Sequence, residues 1–218
     1  MAVSIPDVPF AGIRATNIAC KDVGGDFFDV VMTEHGLAVL VTDVSGKGIS
    51  AALLASILQG MIYSQLVANM PLNEIVASAN AFLCRKVAGQ KYATLFLCRI
   101  TDDGVMEYLN CGHVPPVLVQ ANGVSRPTNC NLPVGLLSDA QYSTDKIKLG
   151  PAERLLVVTD GVTEAENANG DFFGDEGLEK ASSADNPFEN IFNAVKGFCG
   201  ETPLNDDCTI LELTYKGA

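Results

Sequence analysis

The sequence predicts an α+β protein built as a four-layer αββα sandwich, with two antiparallel sheets flanked by helical hairpins. Three observations predict this class: short β-like segments dominate, helical segments come in neighbouring pairs, and the order is strands, two helices, strands, two helices and a strand. A doubly wound parallel sheet would instead alternate strands and helices. The 218 residues suit one domain, residues 1–218, because a single core stops growing only near ~250 to 300 residues.

The first part of the chain predicts three strands followed by a helical hairpin. The strands are FAGIRATNI, FFDVVM and GLAVLVTDV, which are rich in β-branched and aromatic residues. After Gly48 the pattern becomes helical, in ISAALLASILQGMIYSQLVANM, and two apolar sets recur every four positions: Ile49, Leu53, Ile57 and Met61, and Leu54, Leu58 and Ile62. This pattern predicts a helix covered on more than one side. After a break at Met70 and Pro71, LNEIVASANAFLCRKV predicts a second helix beside the first.

The second part predicts strands in YATLFLCRI, VMEYLNCG, PVLVQ, STDKIKL and RLLVVTDGV, with a turn at Asn122 and Gly123. A shorter helical pair, GLEKASSA and PFENIFNAVKGF, follows these strands. The chain then closes with the strand CTILELTY.

Charge and cysteine content exclude several classes of protein. The 26 acidic residues outnumber the 14 basic ones, the net charge is -12, and no basic run is present, so nucleic acid is not an expected partner. Seven cysteines without a C-x-x-C pair indicate reduced thiols in a cytoplasmic protein. The start, MAVSIPDVPF, resembles no targeting segment. No membrane span is expected either, because the longest apolar run between residues 50 and 73, AALLA, is far below ~18 residues.

Acidic residues stand at the ends of several predicted strands. Asp26 and Asp29 follow a Gly-Gly pair, Asp43 ends GLAVLVTDV, Asp160 ends RLLVVTD, and a pair of acids, Asp206 and Asp207, precedes the last strand. Converging carboxylates repel each other unless a cation lies between them, and oxygen ligands favour Mg²⁺ or Mn²⁺ over zinc. Only two histidines are present, so a zinc enzyme is poorly supplied.

Each acid also has a structural interpretation. Asp160-Gly161 is a common turn dipeptide, Asp206 and Asp207 are ordinary turn residues, and Asp43 is a possible helix cap. Four separate groups of acids each lie beside an apolar strand, so chance placement of all four is the weaker explanation. The segments SGKG and GGDFFD lack the spacing of phosphate-binding and dinucleotide-binding loops.

The motifs resemble the bacterial SpoIIE/RsbU-like branch of the metal-dependent protein phosphatases, the PPM family. The resemblance runs from about residue 5 to residue 215, and it is carried by VGGDFFDV, VTDVSGKGISAALLAS, ATLFLCRI, LNCGHVPPVL, LPVGLL, VVTDGVTEAEN with FFG, and NDDCTILEL. It implies the same αββα sandwich with two Mn²⁺ or Mg²⁺ ions between the sheets. It further implies a phosphatase in which a metal-bridging hydroxide attacks phosphorus.

The resemblance implies a set of site residues in this sequence. The metal ligands would be Asp26, Asp43, Asp160 and Asp206, with the Val44 carbonyl assisting and Asp207 as a supporting acid. Asp43 would bridge the ions. Asp29 cannot share a face with Asp26 on a regular strand, so it needs a bulge or a supporting role.

The proton donor to the leaving group is open. Distant members of the family carry a histidine just after the bridging acid, where this chain has Ser45 and Lys47. His113 matches a histidine common in the bacterial branch, and its role is either proton donation or fixing a loop by a hydrogen bond. The catalytic residues predicted in this way are Asp43, Asp160 and His113.

The expected substrate is phosphoserine or phosphothreonine on a STAS-domain protein, an anti-anti-sigma factor of a partner-switching circuit. An upstream sensor or regulatory protein is a further expected partner. Two rival functions stand beside this one. The first is a phosphatase-fold module that binds a signalling partner without turnover, and the second is a two-metal enzyme acting on a phosphodiester or a small phosphomonoester.

Overall fold

The computed structural model describes residues 5–87 and 91–218, which form two stacked five-stranded antiparallel sheets with helices on both outer faces. Residues 1–4, at the start of the segment considered for targeting, lie outside the described residues. The strands are β1 Ala11–Ile18, β2 Phe27–Thr33, β3 Gly36–Val44, β4 Ala93–Ile100, β5 Val105–Cys111, β6 Val117–Gln120, β7 Gly123–Ser125, β8 Asp145–Lys148, β9 Arg154–Val158 and β10 Cys208–Tyr215. The helices are α1 Ile49–Val67, α2 Leu72–Val87, α3 Asp160–Thr163, α4 Gly174–Ser182 and α5 Pro187–Cys199.

Three apolar layers hold the sandwich together. Sheet A has the strand order β1-β10-β9-β6-β7, and sheet B has the order β2-β3-β4-β5-β8. One core lies between the sheets, a second lies between sheet B and the hairpin of α1 and α2, and a third lies between sheet A and helices α3 to α5. The predicted fold class is therefore confirmed.

Alternation of side chains divides β3 between two of these cores. Leu37, Val39 and Val41 lie in the core between the sheets, whereas Ala38 and Leu40 pack against the helical hairpin. A strand buried on both faces explains why its sequence is a nearly continuous apolar run.

The prediction that α1 is covered on more than one side is wrong. Leu54, Leu58 and Ile62 are buried, but the other apolar set lies on the outside, with Ile49 72% exposed, Leu53 62% and Ile57 52%. Within the described residues, α1 is also the one helix long and apolar enough to cross a membrane. Since its buried side belongs to the core against sheet B, this is weak evidence for a span.

Two smaller predictions also need correction. RLLVVTDGV is not a strand to its end, because β9 stops at Val158 and α3 begins at Asp160. The chain after the Asn122-Gly123 turn forms the short strand β7, which pairs with β6 and was not predicted.

Candidate metal centre

Asp43 lies in β3, and Asp26 directly precedes the neighbouring strand β2, at one rim of sheet B. Phe27 in β2 pairs with Thr42 in β3, so continuing the register by one residue sets Asp26 opposite Asp43. Asp43 follows Val39 and Val41 on the face that lines the core between the sheets. Both carboxylates are thus positioned between the two sheets at the same end.

Sheet A meets this rim with two hydroxyl donors. The Thr159 hydroxyl donates to Oδ2 of Asp26 at 2.7 Å, and the Thr209 hydroxyl donates to the same oxygen at 2.8 Å. Thr159 lies between the end of β9 and Asp160, and Thr209 is the second residue of β10, which follows Asp206 and Asp207. Asp26 therefore links the two sheets beside the acids of sheet A.

The electrostatics of these acids follow from burial and mutual repulsion. Burial and then the charge of Asp43 raise the pKa of Asp26 to about 8. Burial and then the charges of Asp160 and Asp206 raise the pKa of Asp43 to about 7. The pKa of Asp160 is also raised, by burial and by the charge of Glu164. Carboxylates arranged in this way lose repulsion when a cation binds between them.

Asp207 uses both carboxylate oxygens to hold the loop between β1 and β2. Oδ1 accepts the Cys20 backbone N–H at 2.9 Å, and Oδ2 accepts the Gly25 N–H at 2.8 Å. A Cβ on Gly24 would lie 2.1 Å from that same Oδ2, so the loop can approach the carboxylate only with glycine there. These contacts favour a supporting role for Asp207.

Asp206 is the more open acid of the pair, with its side chain 38% exposed. Its Oδ1 accepts the Asp207 N–H at 2.9 Å, and its Oδ2 lies 2.9 Å from the ammonium of Lys47. The Cys20 sulfur and one oxygen each of Asp206 and Asp207 lie within 4.8 Å of one another. Burial and then a hydrogen bond to Asp207 raise the pKa of the Cys20 thiol, which favours its neutral form.

The Val44 carbonyl oxygen faces the glycine turn that precedes Asp26. A Cβ on Gly25 would lie 2.6 Å from that oxygen, so glycine again permits the close approach. The atoms gathered at the rim are mainly carboxylate and carbonyl oxygens, which are the ligands that Mg²⁺ and Mn²⁺ prefer. The residues present therefore fit hard divalent cations.

His113 and Asp29 have other neighbours. His113 is buried, its Nδ1 lies 3.1 Å from the Thr94 hydroxyl, and its backbone N–H donates to Asn110. Burial lowers the pKa of His113 to about 4, so the imidazole is neutral near pH 7. These contacts favour the loop-fixing role over proton donation. Asp29 lies on the helix-facing side of β2, where Gln59 of α1 donates to it at 3.4 Å.

The sequence reasoning missed Thr159, Thr209, Glu164 and Cys20 as neighbours of the site, and it missed the pairing of Lys47 with Asp206. The two threonines had a usable signal. Each is a polar residue at the end of an apolar strand, next to a predicted ligand. Glu164 lies one helical turn after Asp160, so its closeness could have been read from the spacing. Cys20 had no signal in the sequence, because only the folded loop between β1 and β2 brings it to Asp207.

Two stacked antiparallel sheets between helices give this chain the fold of the PP2C domains, such as the SiaA-PP2C domain of Pseudomonas aeruginosa. The family model described as Stage II sporulation protein E (SpoIIE) matches residues 33–216. The chain belongs to this family.

Individual relatives agree with this assignment. The chain is 24% identical over 225 residues to the phosphoserine phosphatase RsbU of Bacillus subtilis, covering 99% of this chain and 67% of RsbU. The crystal structure of the RsbU and RsbW domains of Rv1364c from Mycobacterium tuberculosis matches with a TM-score of 0.83 and 25% identity, over 99% of this chain and 62% of that one. RsbX, crystallised in complex with magnesium, matches with a TM-score of 0.74 and 16% identity, over 99% of this chain and all of that one. The chain spans 34% of the length of IcfG of Synechocystis, 67% of RsbU and 38% of RsbP of Bacillus subtilis.

Proposed function

We propose that this chain is a metal-dependent protein phosphatase that removes phosphate from phosphoserine or phosphothreonine on a regulatory protein. The observation that carries the proposal is a group of acids at one rim: Asp26 and Asp43, at the end of sheet B, face the segments that hold Asp160, just after β9, and Asp206, just before β10. The raised pKa values of Asp26 and Asp43 support it, since they result from burial and from mutual repulsion that a bound cation would relieve. Phosphoserine phosphatases among the relatives, such as RsbU, support the same chemistry.

Two Mn²⁺ or Mg²⁺ ions are the proposed cofactors, held by Asp26, Asp43, Asp160 and Asp206 with the Val44 carbonyl. Magnesium in RsbX, which shares the fold, supports this choice of metal. When bound, such ions would lower the pKa of a coordinated water and offset the charge on the phosphoryl group.

The chain's own residues prepare the site for this chemistry. The hydroxyls of Thr159 and Thr209 fix one oxygen of Asp26, which leaves its other oxygen for an ion. Asp43 would bridge the two ions. Asp207 holds the β1–β2 loop against the site, so the position of Asp26 is set before any ligand binds.

A phosphorylated STAS-domain protein of a partner-switching circuit is the proposed substrate, and an upstream sensor or regulatory protein is a proposed partner. The relatives RsbU and RsbP are phosphoserine phosphatases, which supports a substrate of this kind. We also propose a cytoplasmic location, which the seven free cysteines support because thiols stay reduced there.

The test is phosphate release from a serine-phosphorylated STAS protein, with and without Mn²⁺, by the wild-type chain and by Asp160→Asn. Asp29→Asn is the matched control, because Asp29 is a nearby acid that faces α1 instead of the cluster. Metal-dependent release that is lost in Asp160→Asn and kept in Asp29→Asn is the expected result. Absence of release with the phosphoprotein still bound would overturn the proposal in favour of a sequestering module.

A further inference from the structure

A lysine lies at the mouth of the acidic cluster. Lys47 stands on the turn between β3 and α1, and its ammonium donates to the Asn205 carbonyl and lies 2.9 Å from Oδ2 of Asp206. Its charge opposes the rise in the pKa of Asp160 that burial and the charge of Glu164 cause. Glycines with positive φ, Gly46 at 87° and Gly48 at 78°, flank it and give the turn its shape.

The pair between Lys47 and Asp206 is easily exchanged. The two side chains are 40% and 38% exposed, and exposed ion pairs contribute little to stability. The other oxygen of Asp206 already accepts the Asp207 N–H. An ion that binds Asp206 therefore competes with the lysine for Oδ2, and binding of the ion releases the ammonium.

The surroundings of the released ammonium favour an anion. Helix α1 begins next to it, its first turn contains no acidic residue, and no side chain caps its N-terminus. The first N–H groups and the dipole of a 19-residue helix attract negative charge. The lysine has a flexible stem and three donors, which suits a tetrahedral phosphate group.

We propose that Lys47 binds the phosphate group of the substrate and exchanges partners as the site fills. It pairs with Asp206 in the metal-free protein, and it contacts phosphate oxygens once divalent ions occupy Asp206. This inference rests on the proposed function, and it adds the group that recognises phosphate. It also assigns Lys47 a second effect, which is weaker metal binding through competition for Asp206.

The test compares the wild-type chain with Lys47→Met and Lys47→Arg. The matched control is Lys148→Met, which removes another surface pair, Lys148 with Asp103 at 3.4 Å, from the edge strand β8. Mn²⁺ affinity is measured by calorimetry at low ionic strength, without substrate. Binding of inorganic phosphate to the Mn²⁺-loaded protein is measured in the same way, and KM and kcat are measured on the phosphorylated STAS protein.

In Lys47→Met we expect Mn²⁺ to bind more tightly, by about twofold to tenfold, because the competing cation is gone. Phosphate affinity should fall and KM should rise by about tenfold to a hundredfold, the size of a lost charge-assisted hydrogen bond. Lys47→Arg should recover most of the phosphate affinity, and Lys148→Met should match the wild type in every measurement.

Unchanged phosphate affinity in Lys47→Met, in a wild-type protein that does bind phosphate, would overturn the inference and leave the proposed function intact. The calorimetric readouts do not need turnover. If the wild type released no phosphate from the STAS protein, the proposed function would fail, while a loss of phosphate binding in Lys47→Met would still support the role of Lys47.

Discussion

Replacing Asp26 by Asn should stabilise the metal-free protein, and increasingly so as the pH rises. Burial and the charge of Asp43 raise the pKa of Asp26 from 3.8 to about 8. Between these two values the unfolded chain is ionised at this residue, while the folded protein holds the proton. Folding therefore binds protons, so the free energy of unfolding of the wild type falls as the pH rises through this window.

The magnitude follows from the size of the shift. Each pH unit within the window lowers the free energy of unfolding by about 1.4 kcal/mol per group, so the interval from about pH 5 to about pH 8 gives ~4 kcal/mol. Part of this cost is repulsion shared with Asp43, whose pKa is raised to about 7. The Asn side-chain oxygen can still accept from Thr159 and Thr209. Asp26→Asn should thus exceed the wild type by ~2 to 4 kcal/mol at about pH 8, with a much smaller gain at about pH 5.

The assay is urea unfolding in the presence of EDTA at about pH 5, 6.5 and 8, with Asp29→Asn as the control outside the cluster. Added Mn²⁺ should reverse the order, because a ligand that binds only the folded state stabilises it, and Asp26→Asn lacks one proposed ligand. Equal stability of wild type and Asp26→Asn at about pH 8 in EDTA would refute the reasoning that the carboxylates repel each other.

Three further predictions use other parts of the molecule. Asp43→Asn should remove Mn²⁺ binding and phosphatase activity together while the circular dichroism spectrum is kept; activity at the wild-type level would contradict the metal assignment. His113 should contribute in the opposite direction to Asp26 as the pH drops from about 6.5 to about 4, because burial lowers the pKa of His113 to about 4 and the unfolded chain then binds the proton more tightly. His113→Gln lacks this contribution, so its stability relative to the wild type should rise over this interval in urea melts, and a constant difference between the two proteins would count against a buried neutral imidazole. Leu58 is 1% exposed, so Leu58→Ala should lower the free energy of unfolding by about 2 to 5 kcal/mol. Leu53 is 62% exposed, so Leu53→Ser should lower it by less than about 0.5 kcal/mol. Similar losses for the two variants in urea melts would contradict the observed orientation of α1.

The sequence predicted the layers of the fold because strands and helices have different apolar periods. The residues of α2 illustrate this, since Ile75, Ala79 and Leu83 share one apolar face and all are buried. The same reasoning failed on α1, where apolar residues cover both sides. Periodicity identifies such a helix but cannot decide which side the sheet covers, and Leu53 was assigned to the core for that reason.

The candidate ligands were accessible from the sequence because acids that end apolar strands must lie at a sheet rim. Their partners were less accessible, since a contact such as that between Thr209 and Asp26 joins residues 183 positions apart, at the ends of different sheets. Lys47 shows the same limit. Its position beside the proposed bridging acid was visible, but its pairing with Asp206 depends on how the β3–α1 turn meets the loop before β10.

The candidate centre has one half at the end of sheet B, with Asp26 and Asp43, and one half beside sheet A, with Asp160 and Asp206. The two halves are not held equally firmly. Asp43 belongs to β3, a strand paired on both sides and buried on both faces, so its position is rigid. Asp206 lies in a loop and is half-exposed. The hydrogen bonds from Thr159 and Thr209 to Asp26 connect these halves directly at the rim, where the core between the sheets ends. A relative shift of the sheets would therefore break two hydrogen bonds to a partly buried carboxylate, which costs more than breaking exposed ones. The distance between the rigid and the open acids is consequently set by the packing of the whole sandwich.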